Sequence, residues 1–168
     1  MKKSKIFIVA LILLAMFTII GCNKNDDSKK VDTSSSIEKE KNTYIKFVKE
    51  LKKVKESSEE LPFDINVSYD KLDDEEIRYQ VVIDNPKVEL KEIKALAIHD
   101  KQTDDVFPSV GIFDSIVDLS TSSNSKGIIL VGYIPYDGNI DDFDCEIKVL
   151  ISYIKDENKI TSYYVTKK

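Results

Sequence analysis

Two cysteines and one histidine supply the thiols and the sole imidazole of this 168-residue chain, the groups best suited to a nucleophilic pair. A thiol and an imidazole act as a nucleophilic pair when their side-chain atoms come within roughly 3 Å and the thiol is exposed. Cys145 stands in phase with Phe143, Ile147 and Val149, so a strand there turns its sulfur into the core, where it stays protonated and inert. His99 closes an apolar run just before Asp100, and the expectation is a partly exposed histidine at a strand end. With so few soft ligands, a zinc site built on several thiolates is excluded.

Asp137, Asn139, Asp141 and Asp142 place side-chain oxygens close together in one loop, the arrangement a hard cation such as calcium favours. The EF-hand spacing fails twice, because Asp142 stands where the turn glycine belongs and Lys148 where the bidentate glutamate belongs. The reading is therefore no metal and no cofactor, with those four residues as the candidates should a cation bind. Asp73, Asp74, Glu75 and Glu76 form a second acidic run, read as a turn that keeps a strand edge from pairing with other chains. No glycine-rich phosphate cradle, serine nucleophile elbow or cleft with paired carboxylates is present. Catalysis is not expected.

In residues 106–114 the apolar side chains Phe107, Ile112 and Phe113 are interrupted by Pro108 and Gly111. Such a run either crosses between two sheets and covers their core, or leaves aromatic side chains exposed as a recognition patch. On the second reading Phe107, Ile112, Phe113 and Tyr136 form the partner-binding surface, with Tyr133, Tyr163 and Tyr164 as further contributors.

The first five residues carry three lysines, residues 6–21 carry no charge, and Gly21-Cys22 is followed at once by the polar stretch Asn23, Lys24, Asn25, Asp26 and Asp27. A basic start and an apolar stretch too short for a span of roughly 20 residues describe a signal peptide. Ile19-Ile20-Gly21-Cys22 resembles a bacterial lipobox. That resemblance implies diacylglycerol on the Cys22 sulfur, cleavage just before it, and a mature chain held on the extracytoplasmic face of the cell membrane. Two acyl chains suffice for lasting attachment, since each buried methylene contributes about 0.8 kcal/mol. With Cys22 acylated, Cys145 has no partner for an intrachain disulfide. Arg78 is the sole arginine among 25 basic residues, and this lysine bias resembles the proteins of low-GC Gram-positive bacteria.

The elements that position these residues follow from periodicity. Residues 1–21 read as the signal peptide and 22–36 as a flexible tether, too polar to bury much surface. Ser35-Ser36-Ile37-Glu38 fits a helix-capping box, and Ile37, Tyr44, Phe47, Leu51 and Val54 share one helical face. An amphipathic helix over 37–60 is expected, either docked on the following domain or spacing it from the membrane. From residue 62 onward the period is two: Phe63, Ile65, Val67 and Tyr69 alternate with polar neighbours, as do Ile77, Tyr79, Val81 and Ile83. Further runs at 88–99, 106–119, 127–134, 143–153 and 159–166 make about seven strands over 62–168. That is the requirement of an immunoglobulin-like antiparallel β-sandwich, an open barrel of the same strands being the alternative. The pattern resembles the immunoglobulin-like domains of Gram-positive lipoproteins, but with no Trp and one domain Cys it lacks the Cys/Trp/Cys core of antibody domains.

Charge is unevenly spread. Residues 22–61 hold ten basic and nine acidic side chains, whereas 62–168 hold twelve basic and twenty-one acidic. A domain that acidic repels nucleic acid phosphates, so no nucleic acid partner is expected. The combined reading is a lipid-anchored, non-catalytic envelope module that recognises a protein partner. The alternative is a lipoprotein that binds a small ligand or a cation such as calcium, recognisable by a concave apolar pocket or an ordered acidic loop.

Overall fold

Alternation of apolar and polar side chains dictates pleated strands, and the computed structural model, which describes residues 33–73, 75–101, 109–113, 115–122 and 127–168, contains seven of them. One helix, α1 (Thr33–Leu51), precedes β1 (Asp64–Lys71), β2 (Glu76–Asp84), β3 (Lys91–His99), β4 (Ser109–Ile112), β5 (Ile128–Pro135), β6 (Glu146–Lys155) and β7 (Asn158–Lys167). The expected signal peptide, Cys22, Phe107 and most of the expected tether lie outside the described residues.

The strands form two antiparallel sheets, ordered β1-β2-β5 and β4-β3-β6-β7. The chain changes sheet between β2 and β3, again between β4 and β5, and again between β5 and β6, a Greek-key route. This is an immunoglobulin-like sandwich in which the fourth strand pairs with the third rather than with the fifth. No ladder joins the two sheets among the described residues, so the sandwich, and not the open barrel, is the architecture.

Strand β2 shows why the alternation works: Ile77, Tyr79, Val81 and Ile83 are buried and every neighbour between them is partly exposed. Opposite them stand Ile93, Ala95 and Ala97 of β3 and Ile147, Val149, Ile151 and Tyr153 of β6. Aromatic edge contacts replace the missing tryptophan, with Phe63 and Tyr153 centroids 5.7 Å apart. Small residues make room for them: a Cβ on Gly132, the cross-strand partner of Tyr79, would lie 2.3 Å from the tyrosine ring.

The four-stranded sheet is buried on its second face as well, because α1 lies across it. Phe47 and Leu51 of the helix close a second core with Leu96 and Ile98 of β3 and Leu150 of β6, bordered by Tyr44, Val48, Val54, Phe113 and Tyr163. Helix, sandwich and both cores belong to one compact unit, Ser34–Lys168. The helix differs from the expected 37–60 at both ends. It begins at Thr33, ahead of the capping-box serines, and stops at Leu51, where Lys53 N donates to Glu50 O and Val54 N to Leu51 O and tighten the last turn. Residues 54–58 leave the helix as a strap along β7. There Ser58 N donates to Tyr163 O (2.9 Å), while the Ser58 and Ser57 hydroxyls accept from Tyr163 N and Val165 N (2.9 Å each). The strap thereby satisfies a sheet edge that would otherwise stand open.

Candidate functional site

The thiol and imidazole are both in the core. Cys145 is fully buried, and burial, reinforced by the nearby Asp100 carboxylate, pushes its thiol up to about 12. His99 is the correction to the sequence reading: at 7% exposure it is buried, because it continues the inward row of Ile93, Ala95 and Ala97 and packs edge-on against Tyr79 with centroids 5.8 Å apart. Burial lowers its pKa, against the opposing pull of Asp100, and its Nδ1 has no hydrogen-bond partner. A thiol that remains protonated and a neutral imidazole, both closed from solvent, have no route to a substrate.

In the acidic loop the oxygens are spent on the chain itself. Asn139 Oδ1 caps the single 3-10 turn Ile140–Asp142 by accepting from Asp141 N (3.1 Å), and Asn139 O accepts from Tyr136 Oη (3.2 Å). The carbonyls of Gly138 and Ile140 each accept from a lysine ammonium, Lys71 and Lys168, at 2.6 Å. Two fixed cations thus stand where calcium would draw on backbone oxygens. Among the described residues no three His, Cys, Asp or Glu side chains come together as a metal centre, so Asp137, Asp141 and Asp142 are not joined into one. Between the first turns of α1 and the β3–β4 side runs a groove of about 370 Å³, lined by Lys39, Glu40, Thr43, Glu92, Lys94 and Phe113 among others. Its walls are mixed, with Lys39, Glu40, Glu92 and Lys94 set beside Phe113 and Ile116, whereas small-molecule sites are lined mainly by apolar side chains.

The residues expected to form a recognition patch are dispersed. Ile112 packs on the core between the sheets, whereas Phe113 turns to the other face and meets Tyr44 and Phe47 of α1, each ring pair 5.8 Å apart. Tyr136 lies 4.9 Å from the Phe143 ring and Tyr163 donates its hydroxyl proton to Glu50 beneath the helix. Tyr164 borders the main core. Of the aromatic candidates among the described residues, only Tyr133 is exposed.

Tyr133 belongs to a surface that sequence reasoning missed. On β5, Ile128, Leu130, Gly132 and Ile134 face inward while Ile129, Val131 and Tyr133 face outward at 50%, 37% and 52% exposure. The strand carries no charged residue, sits at the edge of its sheet, and has no fourth strand beside it among the described residues. Across from it on the same outer face stand Val82, Gln80 and Arg78 of β2, the last held by Asp70 at 2.8 Å. The signal was present in the sequence as an apolar residue at nearly every position of 127–134, the mark of a strand with two apolar faces. In β3 and β6 both faces are covered; in β5 one is left bare.

No family model and no characterised protein matches the sequence. Among solved structures the chain is similar to beta-glucosidase 3B from Thermotoga neapolitana in complex with glucose, at 18% identity over 67% of this chain and 16% of that one, with a TM-score of 0.20. A likeness at that score carries no functional inference.

Proposed function

We propose that this protein is a lipid-anchored module on the extracytoplasmic face of the cell membrane that recognises a protein partner through the outer face and free edge of β5. The lipobox-like Ile19-Ile20-Gly21-Cys22 supports the anchor. No helix among the described residues is long and apolar enough to cross a membrane. Recognition rests on one observation, the uncharged edge strand with Ile129, Val131 and Tyr133 exposed in a row. Native proteins blunt open edges with charge, proline, bulges or a covering segment. Here β7 is covered by the Ser57–Ser58 strap, and β1 turns Asn66, Ser68 and Asp70 outward. An edge left both apolar and uncharged is the kind of strand that a partner polypeptide pairs with, backbone bonds supplying affinity and alternate side chains supplying selectivity.

A photo-reactive residue at Val131 in intact cells is expected to crosslink to one envelope protein, and the same residue at Asp156 to none. Val131→Lys, which adds charge to an already exposed position, should abolish capture while leaving the unfolding midpoint unchanged. Equal capture from both positions, or capture that survives the lysine, overturns the assignment of β5.

A further inference from the structure

The net negative charge of this protein lies in the sandwich, whereas residues 22–61 carry ten basic against nine acidic side chains. Residues 39–55, which make up most of α1 and the turn after it, hold seven lysines and two glutamates. Lys39, Lys46, Lys49 and Lys53 recur at spacings of seven, three and four, the period of one helical face. They share that face with Asn42 and the exposed Glu38, with Glu50 at its border, so four lysines outnumber two glutamates along the solvent side of the helix. Lys46, Lys49, Lys52 and Lys53 are exposed, and the ion pairs among the described residues all lie in the sandwich. Of the two glutamates, Glu50 is engaged by the Tyr163 hydroxyl. The opposite face of the helix is already used, since Phe47 and Leu51 bury it in the second core. What remains outward is a stripe of positive charge on a protein whose formal net charge is −5.

We infer that this lysine stripe is a docking surface for anionic lipid headgroups, and that it lays α1 along the membrane in which the protein is anchored. The inference rests on the proposed anchor for its geometry. Cys22 stands eleven residues before Thr33, and eleven residues span at most roughly 40 Å when fully extended, so acylation at Cys22 keeps the stripe within reach of the surface. Charge complementarity selects the occupant: clustered lysines are drawn to anionic leaflets, and the attraction fades within a Debye length. The sandwich, with twenty-one acidic and twelve basic residues over 62–168, is repelled by the same surface. The molecule is therefore oriented as well as held. Because α1 covers the outer face of the four-stranded sheet, and Ile129, Val131 and Tyr133 lie on the outer face of the other sheet, the recognition row points away from the membrane.

The test uses residues 34–168, the compact unit that contains both cores and lacks Cys22, so that the stripe is read without the anchor. Its folding is verified by a cooperative unfolding transition. Flotation with vesicles of phosphatidylglycerol and phosphatidylcholine is expected to carry the protein at low salt, with binding at least tenfold weaker at high salt and absent on phosphatidylcholine alone. Lys46→Gln, Lys49→Gln and Lys53→Gln together should weaken binding at least tenfold, whereas Lys87→Gln with Lys159→Gln in the sandwich should leave it unchanged. Three results overturn the inference: no flotation, flotation indifferent to the helix substitutions, or salt-sensitive self-association without flotation, which would mean that the stripe meets the acidic sandwich of a second copy. Release of the full chain from cells by Cys22→Ser tests the anchor separately, so failure of either reading is recognisable by itself.

Discussion

Burying an imidazole that has no partner on Nδ1 makes His99 a titrating liability. Desolvation holds its pKa below the ordinary value, with Asp100 opposing in part. The unfolded chain, near the ordinary 6.5 or so, therefore binds a proton at pH values where the folded chain does not. The stability contributed by the neutral ring is complete above about 6.5 and is lost as the pH falls through the lower folded pKa. Urea unfolding followed from about pH 7.5 to 5 should show this decline, and His99→Gln should flatten it in that window. The carboxylates of Glu89 and Glu146, both held below the usual range by their hydrogen-bond donors, Ser120 first for one and Lys148 first for the other, act at lower pH. A wild-type profile flat across the upper window would refute the role given to His99. Nothing comparable attaches to Cys145, whose thiol stays protonated throughout.

Among the elements, the β6–β7 hairpin holds a correctable strain. Lys155 pairs with Asn158, and both residues between them, Asp156 and Glu157, have positive φ, 49° and 64°. That backbone matches the twist of the flanking strands but favours Asn-Gly or Asp-Gly. For an L-residue such as Glu the left-handed region costs roughly 1–2 kcal/mol, part of which glycine returns through its freer unfolded state. Glu157→Gly is expected to raise stability by about 0.5–1 kcal/mol, read as a higher urea midpoint at unchanged slope. A further positive φ, 50° at Glu92, marks the bulge in β3 between Lys91 and Lys94, where Asp118 accepts from the Glu92 N–H at 2.8 Å. The bulge sits where residues 117–119 rejoin β3, with Ile93 N donating to Val117 O and Leu90 and Leu119 exchanging both backbone bonds. Of the expected interrupted run over 106–119, residues 109–112 pair with 95–98 of β3 and residues 117–119 bond to 90–93.

For the whole molecule the decisive contact is between helix and sheet. Leu51 is fully buried against Leu96, Ile98 and Leu150, and truncating such a leucine costs about 2–5 kcal/mol. Leu51→Ala should lower stability by that order while the helical and tyrosine signals, the chain having eight Tyr and no Trp, still fall together in one transition. Loss of the helical signal at lower denaturant than the tyrosine signal would show that α1 is a separable appendage. The docked helix also gives the fold three layers with different outer surfaces: lysines on one side, the apolar row of β5 on the other.

Much of this was legible from the residues alone. Alternation in 77–83 and 147–153 specified strands and their inward rows, because a pleated strand has a period of two and a one-residue slip would expose every apolar side chain. The spacing of Tyr44, Phe47 and Leu51 marked the helical face that docks, although Ile37 of the same expected face is exposed and Val54 reaches the second core from beyond the helix end; the in-phase position of Cys145 marked a buried thiol. His99 was misjudged because a strand end is exposed only when no opposing sheet reaches it, and Tyr79 does. Phe113 and Tyr163 read equally well as surface or core, since an aromatic ring carries no sign of whether a helix will cover it. The same limit hid β5. Strand β5 is apolar on both faces, β3 and β6 carry apolar residues on part of their second face (Leu96 and Ile98, and Leu150), and local sequence does not say which face finds a cover. Tertiary structure decided that, placing α1 over β3 and β6 and leaving Ile129, Val131 and Tyr133 bare, because burial is a property of what packs opposite and not of the strand itself.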